Sequence, residues 1–265
     1  MLKKRPNEFL YSLFTLLAAV IVVHAFWVAA VRPNAQRVQA EQAAAMKADP
    51  AYVAERSLWV IVKDWEQESC VVLMLWALAM IGYKWREVSR EHDVLERDLL
   101  QIPEGMRILP EDTREYARQL EALPPLERDL LVVRALDVAL ARFGATRNVQ
   151  DVSEAARGVC DSEADRLDSE MSMLRYIAWA IPAIGFIGTV RGIGDALAEA
   201  HKAVTGDIAG VTEGLGVAFN STLIALLLSL VLMFLLHNLQ LRQERLAQDT
   251  DTYLDRMLLR HLQVR

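Results

Sequence analysis

Long apolar runs constrain this chain more than any other feature of its sequence. A helix needs about 20 mostly apolar residues to cross the hydrocarbon core of a bilayer. Runs that approach this length occupy residues 9–31, 66–83, 176–196 and 211–236. The chain has 265 residues and is 53% hydrophobic, and a soluble fold would disperse those residues instead of gathering them into runs. The sequence therefore predicts an all-α, polytopic helical membrane protein with four transmembrane helices.

The first apolar run has two interpretations. It follows Lys3, Lys4 and Arg5, and a basic start before an apolar run is also typical of a cleaved signal peptide. The apolar core of a signal peptide is about 7–15 residues long, and the run here is longer. Its length favours a retained membrane helix, with the signal peptide as the alternative.

Charged sequence divides the chain into four regions. Residues 1–86 contain the first two spans and a polar segment between them, and residues 87–173 are a charged stretch that prolines break into helical pieces. The last two spans form a hairpin in residues 174–238, and a polar tail with spaced leucines fills residues 239–265. We expect residues 87–173 to form a helical bundle outside the bilayer and the tail to be helical.

Basic residues flank the predicted spans on one side. Lys84 and Arg86 follow the second span, Arg175 precedes the third, and Arg242 follows the fourth. Lys and Arg concentrate in the short cytoplasmic segments that flank membrane helices. The pattern therefore predicts that the large loop and both termini are cytoplasmic, and that the polar segment between the first two spans is periplasmic.

The charged and metal-binding residue types argue against several functional classes. The net charge of −6 and the lack of a basic face argue against a nucleic acid partner. Cys70 and Cys160 are too few for a metal site, and His24 and His237 have no Cys, Asp or Glu at ligand spacing. No nucleophile elbow, phosphate-binding loop or catalytic carboxylate pair occurs. We predict no metal, no cofactor and no enzymatic activity.

The last two spans carry matching stripes of small and hydroxyl-bearing residues. At helical spacing, one face of each span gathers Gly185, Gly188, Thr189, Gly192, Gly214, Ala218, Ser221, Thr222 and Ala225. Small residues let helix backbones approach closely, whereas hydroxyls can also coordinate water or a cation. The stripes alone favour helix packing, and a narrow polar path is the alternative.

Arg191 lies within the glycine-rich part of the third span, and it also has two interpretations. Its side chain would extend to the outer headgroups and pair with Asp195, four positions further on the same helix face. Alternatively, Arg191, Asp195 and Glu213 would lie at the outer mouth of a pore and tune the access of ions. Extension to the headgroups is the commoner behaviour of a long basic side chain near the end of a span.

Two segments of this hairpin resemble the signatures of a known family. Residues 185–193 read Gly-Phe-Ile-Gly-Thr-Val-Arg-Gly-Ile, which is similar to the Gly-Thr-Val-x-Gly-Ile signature of the MotA/TolQ/ExbB proton channel family. Residues 216–227 resemble the family's second signature, Ala-Leu-x-Thr-Thr-Ala-x-Gly-Leu. The chain departs from that signature with Ser221 for a threonine and Ala225 for a glycine. Val217 also stands where many relatives carry a glutamate.

The resemblance implies a mechanism. It implies that Thr189 and Thr222, with Ser221 beside them, line the central pore of a homopentamer in the bacterial inner membrane. It also implies a single-span partner similar to ExbD, TolR or MotB, whose membrane aspartate accepts and releases the ion. No acidic residue lies in the middle of a predicted span, which agrees with a carboxylate supplied by another chain, since a proton relay needs a titratable group.

The expected function is therefore that of a channel-forming, stator-like subunit. It would couple the flow of protons or sodium ions through the membrane to movement of the partner protein. The alternative is a non-conducting membrane scaffold that oligomerises through the last two spans.

Overall fold

The fold is all-helical in the part of the chain that the structure describes. The computed structural model describes residues 6–49, 52, 55–103, 105–204 and 206–263, so Lys3, Lys4 and Arg5 lie outside the described residues. These ranges contain ten α-helices and no β-strand. The predicted all-α class is thus confirmed. The chain divides into a first unit, Met1–Gly82 with Met173–Leu236, and a second unit, Tyr83–Ser172 with His237–Arg265.

The first unit begins with one continuous run of helix. Helix α1 (Pro6–Phe26) passes through a π-helical turn (Trp27–Val31) directly into α2 (Arg32–Ala48). Pro33 explains the wider turn, because a proline inside a helix has no N–H and its ring collides with the carbonyl four residues earlier. The helix therefore extends well beyond the apolar run that predicted its first part.

A single helical turn, α3 (Leu58–Ile61), leads to α4 (Trp65–Leu95), which begins in the first unit and ends in the second. The hairpin of the first unit is formed by α9 (Ser172–Ala203) and the first part of α10 (Ala209–Met257), whose end belongs to the second unit. Gly206 lies in the turn with a φ of +96°. Only glycine adopts that φ readily.

Helices long and apolar enough to cross a membrane number four among the described residues. They are Phe9–Ala48, Trp65–Leu95, Val149–Ala203 and Ala209–His261, and they contain the four predicted spans. Large apolar side chains such as Phe14, Trp179 and Leu230 are exposed on their surfaces, as contact with lipid requires. This finding confirms the predicted polytopic helical membrane protein.

The second unit packs α5 (Thr113–Glu121), α6 (Pro125–Arg128), α7 (Leu131–Thr146) and α8 (Val149–Glu170) with the ends of α4 and α10. Its core contains large side chains without solvent exposure, among them Leu136, Leu140 and Phe143. A carboxylate oxygen of Glu91 accepts a hydrogen bond from the amide of Leu131 at 2.9 Å and so satisfies the start of α7. The cytoplasmic location of this unit stays a prediction.

Candidate ion-conduction site

Glycines allow the backbones of α9 and α10 to touch. A Cβ atom placed on Gly192 would lie 2.5 Å from the amide nitrogen of Ala218 and 2.5 Å from the carbonyl oxygen of Gly214. A Cβ on Gly214 would in turn lie 2.6 Å from the amide nitrogen of Ala196. No real side chain fits at such distances, so this crossing depends on the absence of side chains at both glycines.

The close contact continues along both helices. A Cβ on Gly185 would overlap the Cβ of Ala225, and one on Gly188 would overlap the Cβ of Ser221. The structure thus brings all the small residues of the predicted packing set to the contact between the two helices, namely Gly185, Gly188, Gly192, Gly214, Ala218 and Ala225.

Thr189 and Thr222 meet at this contact. Their hydroxyl groups are hydrogen-bonded to each other, and we call them the threonine pair. Thr189 Oγ1 also lies 3.2 Å from the carbonyl oxygen of Ala218, and Thr222 Oγ1 lies 3.2 Å from that of Gly185. Both threonines are half-buried. Each hydroxyl combines one donor with two acceptor positions, so the pair can exchange a bond between the helices for one to water or a cation.

Ser221, predicted to line the same path, makes different contacts. Its side chain is buried, its Oγ donates to the carbonyl oxygen of Val217 at 2.8 Å, and it accepts a bond from Gln67 Nε2 at 3.3 Å. Successive residues of an α-helix point about 100° apart, so Ser221 faces α4 where Thr222 faces Thr189. The threonine pair and Ser221 are therefore separate polar groups.

Arg191 also faces α4. Its Nε lies 2.6 Å from one carboxylate oxygen of Glu66 and its Nη2 lies 3.0 Å from the other, which is the two-pronged geometry that guanidinium favours. Asp64 and Asp195 follow at 3.5 Å each. Pairing of Arg191 with Asp195 was part of one of the two interpretations drawn from the sequence. Pairing of Arg191 with Glu66 was not predicted.

Comparison with known proteins places this hairpin in a family. Residues 129–252 match the model of the MotA/TolQ/ExbB proton channel family. This stretch, a little under half of the chain, is similar to the MotA/TolQ/ExbB proton channel family. The match contains both signature segments, the close-packed glycines and the threonine pair. Comparison with the curated proteins and with solved structures gives no match.

The family assignment confirms the resemblance found in the sequence. A MotA/TolQ/ExbB region together with four helices that can span a membrane makes this chain a multi-pass membrane protein of the proton-channel type. The family is a channel and transport family and not one of enzymes.

The start of α4 carries a polar group that lies before the family match. Glu66, Gln67 and Glu68, which we call the polar triplet, are all buried. Glu66 binds Arg191 on α9 and Gln67 binds Ser221 on α10. Three consecutive residues of a helix point in three directions, so the triplet can contact the other helices of the unit from one turn.

Glu68, the third residue of the polar triplet, contacts α1 and α2. Its Oε1 lies 2.6 Å from His24 Nδ1, and its Oε2 accepts a bond from Arg32 Nη2 at 2.9 Å. His24 thus has an acidic partner 44 positions away, which its isolation in the sequence concealed. The one signal in the sequence is a run of two acids and an amide directly before an apolar stretch.

Glu213 does not share the surroundings of Arg191. Its Oε1 accepts hydrogen bonds from Lys63 Nζ at 3.0 Å and from Gln39 Nε2 at 3.3 Å.

Asp64, the residue after Lys63, has a perturbed carboxyl group. Its burial raises its pKa above the usual range, although the nearby positive charges of Lys63 and Arg191 act to lower it. The described residues contain no group of three or more His, Cys, Asp or Glu side chains that could hold a metal.

Proposed function

We propose that this chain is the channel-forming, stator-like subunit of an inner-membrane motor that couples proton or sodium flow to movement of a partner protein. The observation that carries the proposal is the threonine pair. It places two hydroxyl groups between the two signature helices of a MotA/TolQ/ExbB region, in a contact otherwise made of small residues. Hydroxyls serve an ion path without the cost of a permanent charge in the membrane.

The proposed partner supplies the group that carries the ion. The buried carboxylates at the start of α4, Glu66 and Glu68, are both held by basic side chains. The oxygens of both carboxylates are thus already bonded within the chain. A single-span protein similar to ExbD, TolR or MotB would bring a membrane aspartate instead. The threonine pair would then donate to that aspartate or to a water beside it when its protonation changes.

The proposed assembly is a homopentamer around that partner. Large apolar side chains on the hairpin, among them Phe186, Val190, Phe219 and Leu223, remain exposed in the single chain. Such side chains suit either lipid or a neighbouring copy, and the family resemblance favours copies arranged as a ring. The basic flanks of the spans support a topology with both termini and the second unit in the cytoplasm.

Proton flux into vesicles tests the proposal. The chain is co-expressed with a candidate single-span protein that has an aspartate in its membrane helix, and oligomer size is measured in the same samples. Thr189→Ala and Thr222→Ala should each slow the flux, because one intramembrane hydrogen bond is worth about 0.6–2 kcal/mol, and the double variant should nearly stop it. Serine at either position should restore most of the flux, since it returns the hydroxyl.

Ser229→Ala is the matched control. Ser229 lies on α10, as Thr222 does. Its buried hydroxyl donates to the carbonyl oxygen of Ala178 on α9 at 3.3 Å, away from the threonine pair. This variant removes a hydroxyl between the same two helices and should conduct as the wild type does. A double Thr189→Ala/Thr222→Ala variant that assembles and conducts normally would refute the assigned path.

The second candidate function is a non-conducting scaffold. It is favoured by the internal satisfaction of the threonine pair, because both hydroxyl hydrogens can be used within the helix contact, one between the two hydroxyls and one to a backbone carbonyl. Hydrogen bonds of that kind also serve simply to hold membrane helices together. The scaffold predicts that the wild type oligomerises but shows no flux with any partner.

A further inference from the structure

A groove of about 500 Å³ opens on the first unit, away from the threonine pair. Its lining comes from α1, α2, α4 and α9 and consists of Val20, His24, Arg32, Trp65, Glu68, Ser69, Val72, Leu73 and Ile184. Volumes of this order are typical of sites for small molecules. The family match begins at residue 129, so it contains Ile184 and none of the other lining residues.

Polar and apolar residues are segregated along the groove. His24 and Glu68 mark its polar rim, and Val20 and Val72 lie four positions from them on the same two helices, toward the middle of the predicted spans. Four residues of α-helix cover about 6 Å, so the lining changes from charged to aliphatic within one turn. A polar rim above an apolar wall matches the boundary between lipid headgroups and acyl chains.

The rim offers donors for an anion. Arg32 uses Nη2 for its bond to Glu68, and its side chain remains 44% exposed. His24 contacts the same carboxylate through Nδ1 and is 59% exposed. Glu68 therefore orients both side chains. The other N–H groups of Arg32 can donate to an anion, and His24 Nε2 can donate to it when both ring nitrogens carry a proton. Trp65, 48% exposed at the same rim, is a residue type enriched at the headgroup level of membranes.

We infer that this groove binds a glycerophospholipid, with its phosphate at Arg32 and His24 and one acyl chain along Val20, Val72 and Ile184. A guanidinium is well suited to phosphate because it presents several N–H groups in one plane. The groove lies on helices that span the membrane, so phospholipid is the solvent it meets at high concentration. The inference depends on membrane insertion and not on conduction.

Native mass spectrometry of the full chain, stripped of lipid in detergent and titrated with phosphatidylglycerol, tests this site. The wild type should retain one tightly bound lipid per chain. Arg32→Gln should weaken that binding about tenfold, the effect of losing one hydrogen bond to a charged group. Arg37→Gln is the matched control, because Arg37 lies on the same helix, contacts Asn34 and Glu41, and is outside the groove.

A second variant tests the apolar wall without changing any charge. Ile184→Trp should fill the groove and reduce lipid retention at least as much as Arg32→Gln, with the oligomer unchanged. Excess inorganic phosphate should not displace the lipid, because it makes no contact with the apolar wall.

Lipid retention equal to wild type in both variants would overturn the proposal. So would displacement by phosphate alone, or an Ile184→Trp variant that changes the number of chains in the complex, which would indicate a second copy on the groove. None of these measurements requires the partner or an ion gradient, so their outcome does not depend on whether the proposed conduction is correct.

Discussion

Gly192 and Gly194 are two glycines of one helix in opposite surroundings. A Cβ on Gly192 would collide with the backbone of α10 at 2.5 Å, whereas a Cβ on Gly194 would meet nothing within 4 Å. Gly192→Ala should therefore destabilise the protein by about 1–3 kcal/mol, the usual cost of overfilling a packed contact. Gly194→Ala should stabilise it by up to about 1 kcal/mol, because alanine favours helix.

Thermal unfolding of the detergent-solubilised protein, followed by circular dichroism, measures both effects. The two variants differ by the same single methyl group from the wild type, so their difference reports the surroundings alone. Equal midpoints for Gly192→Ala and Gly194→Ala would contradict the close approach of α9 and α10.

The residues of this contact were accessible to sequence reasoning, because a stripe repeats at local spacing. Gly188 and Gly192 are four apart, and the threonine pair belongs to signatures that can be recognised in order. The separation of Ser221 from Thr222 was not accessible. Both hydroxyls lie on the same broad stripe, and only the position of α4 decides which of them faces Gln67.

The contact between α4 and α9 depends on the pair formed by Glu66 and Arg191. Glu66 is fully buried, so Glu66→Gln leaves the guanidinium without its main counter-charge. Loss of one member of a buried pair costs about 3–5 kcal/mol, and we expect about 2–3 kcal/mol here because Arg191 is 35% exposed and Asp64 and Asp195 remain near.

The double variant Glu66→Leu/Arg191→Met should recover most of that loss, since an apolar pair of similar size replaces a buried ion pair at little cost. Lys63→Gln is the control, because it breaks the more exposed pair with Glu213 and should cost less than about 1 kcal/mol. The thermal unfolding midpoints of these three variants measure the effects. A double variant less stable than Glu66→Gln would contradict a role based on charge pairing.

Helices were predicted where the sequence is apolar, but the helical length of polar segments was underestimated. Residues 32–48 are polar, so they read as a connecting segment, yet they contain many Ala and Gln residues and no glycine. Such a composition favours helix, and the structure continues α1 into α2 through the wide turn before Pro33. Contacts such as Glu66 with Arg191 span 125 positions, which no local pattern reveals.

Whole-chain topology gives a prediction with opposite outcomes at two positions. In a background with Cys70→Ala and Cys160→Ala, Glu154→Cys on α8 and Gln36→Cys on α2 both place a thiol on an exposed position. A membrane-impermeant maleimide should label Gln36→Cys in intact cells and Glu154→Cys only after permeabilisation. Labelling of Glu154→Cys from outside would reverse the predicted orientation.

Oligomeric state is the second property of the whole molecule that can be measured. Native mass spectrometry in detergent should give a complex of five copies of the 29.8 kDa chain. Gly192→Leu should break it up, because distortion of the hairpin disturbs the surface that the copies share. A wild-type protein that is stably monomeric would contradict the assembly.

The polar triplet also imposes an order on how the chain is made. The partners of Glu68, which are His24 and Arg32, lie 44 and 36 positions earlier and are synthesised before it. Glu66 and Gln67 must wait for Arg191 and Ser221, 125 and 154 positions later. At about 5–20 residues per second, the ribosome leaves a charged and an amide side chain without their final partners at the membrane for several seconds or longer. Helix α4 therefore reaches its full set of contacts only after the last hairpin has been synthesised.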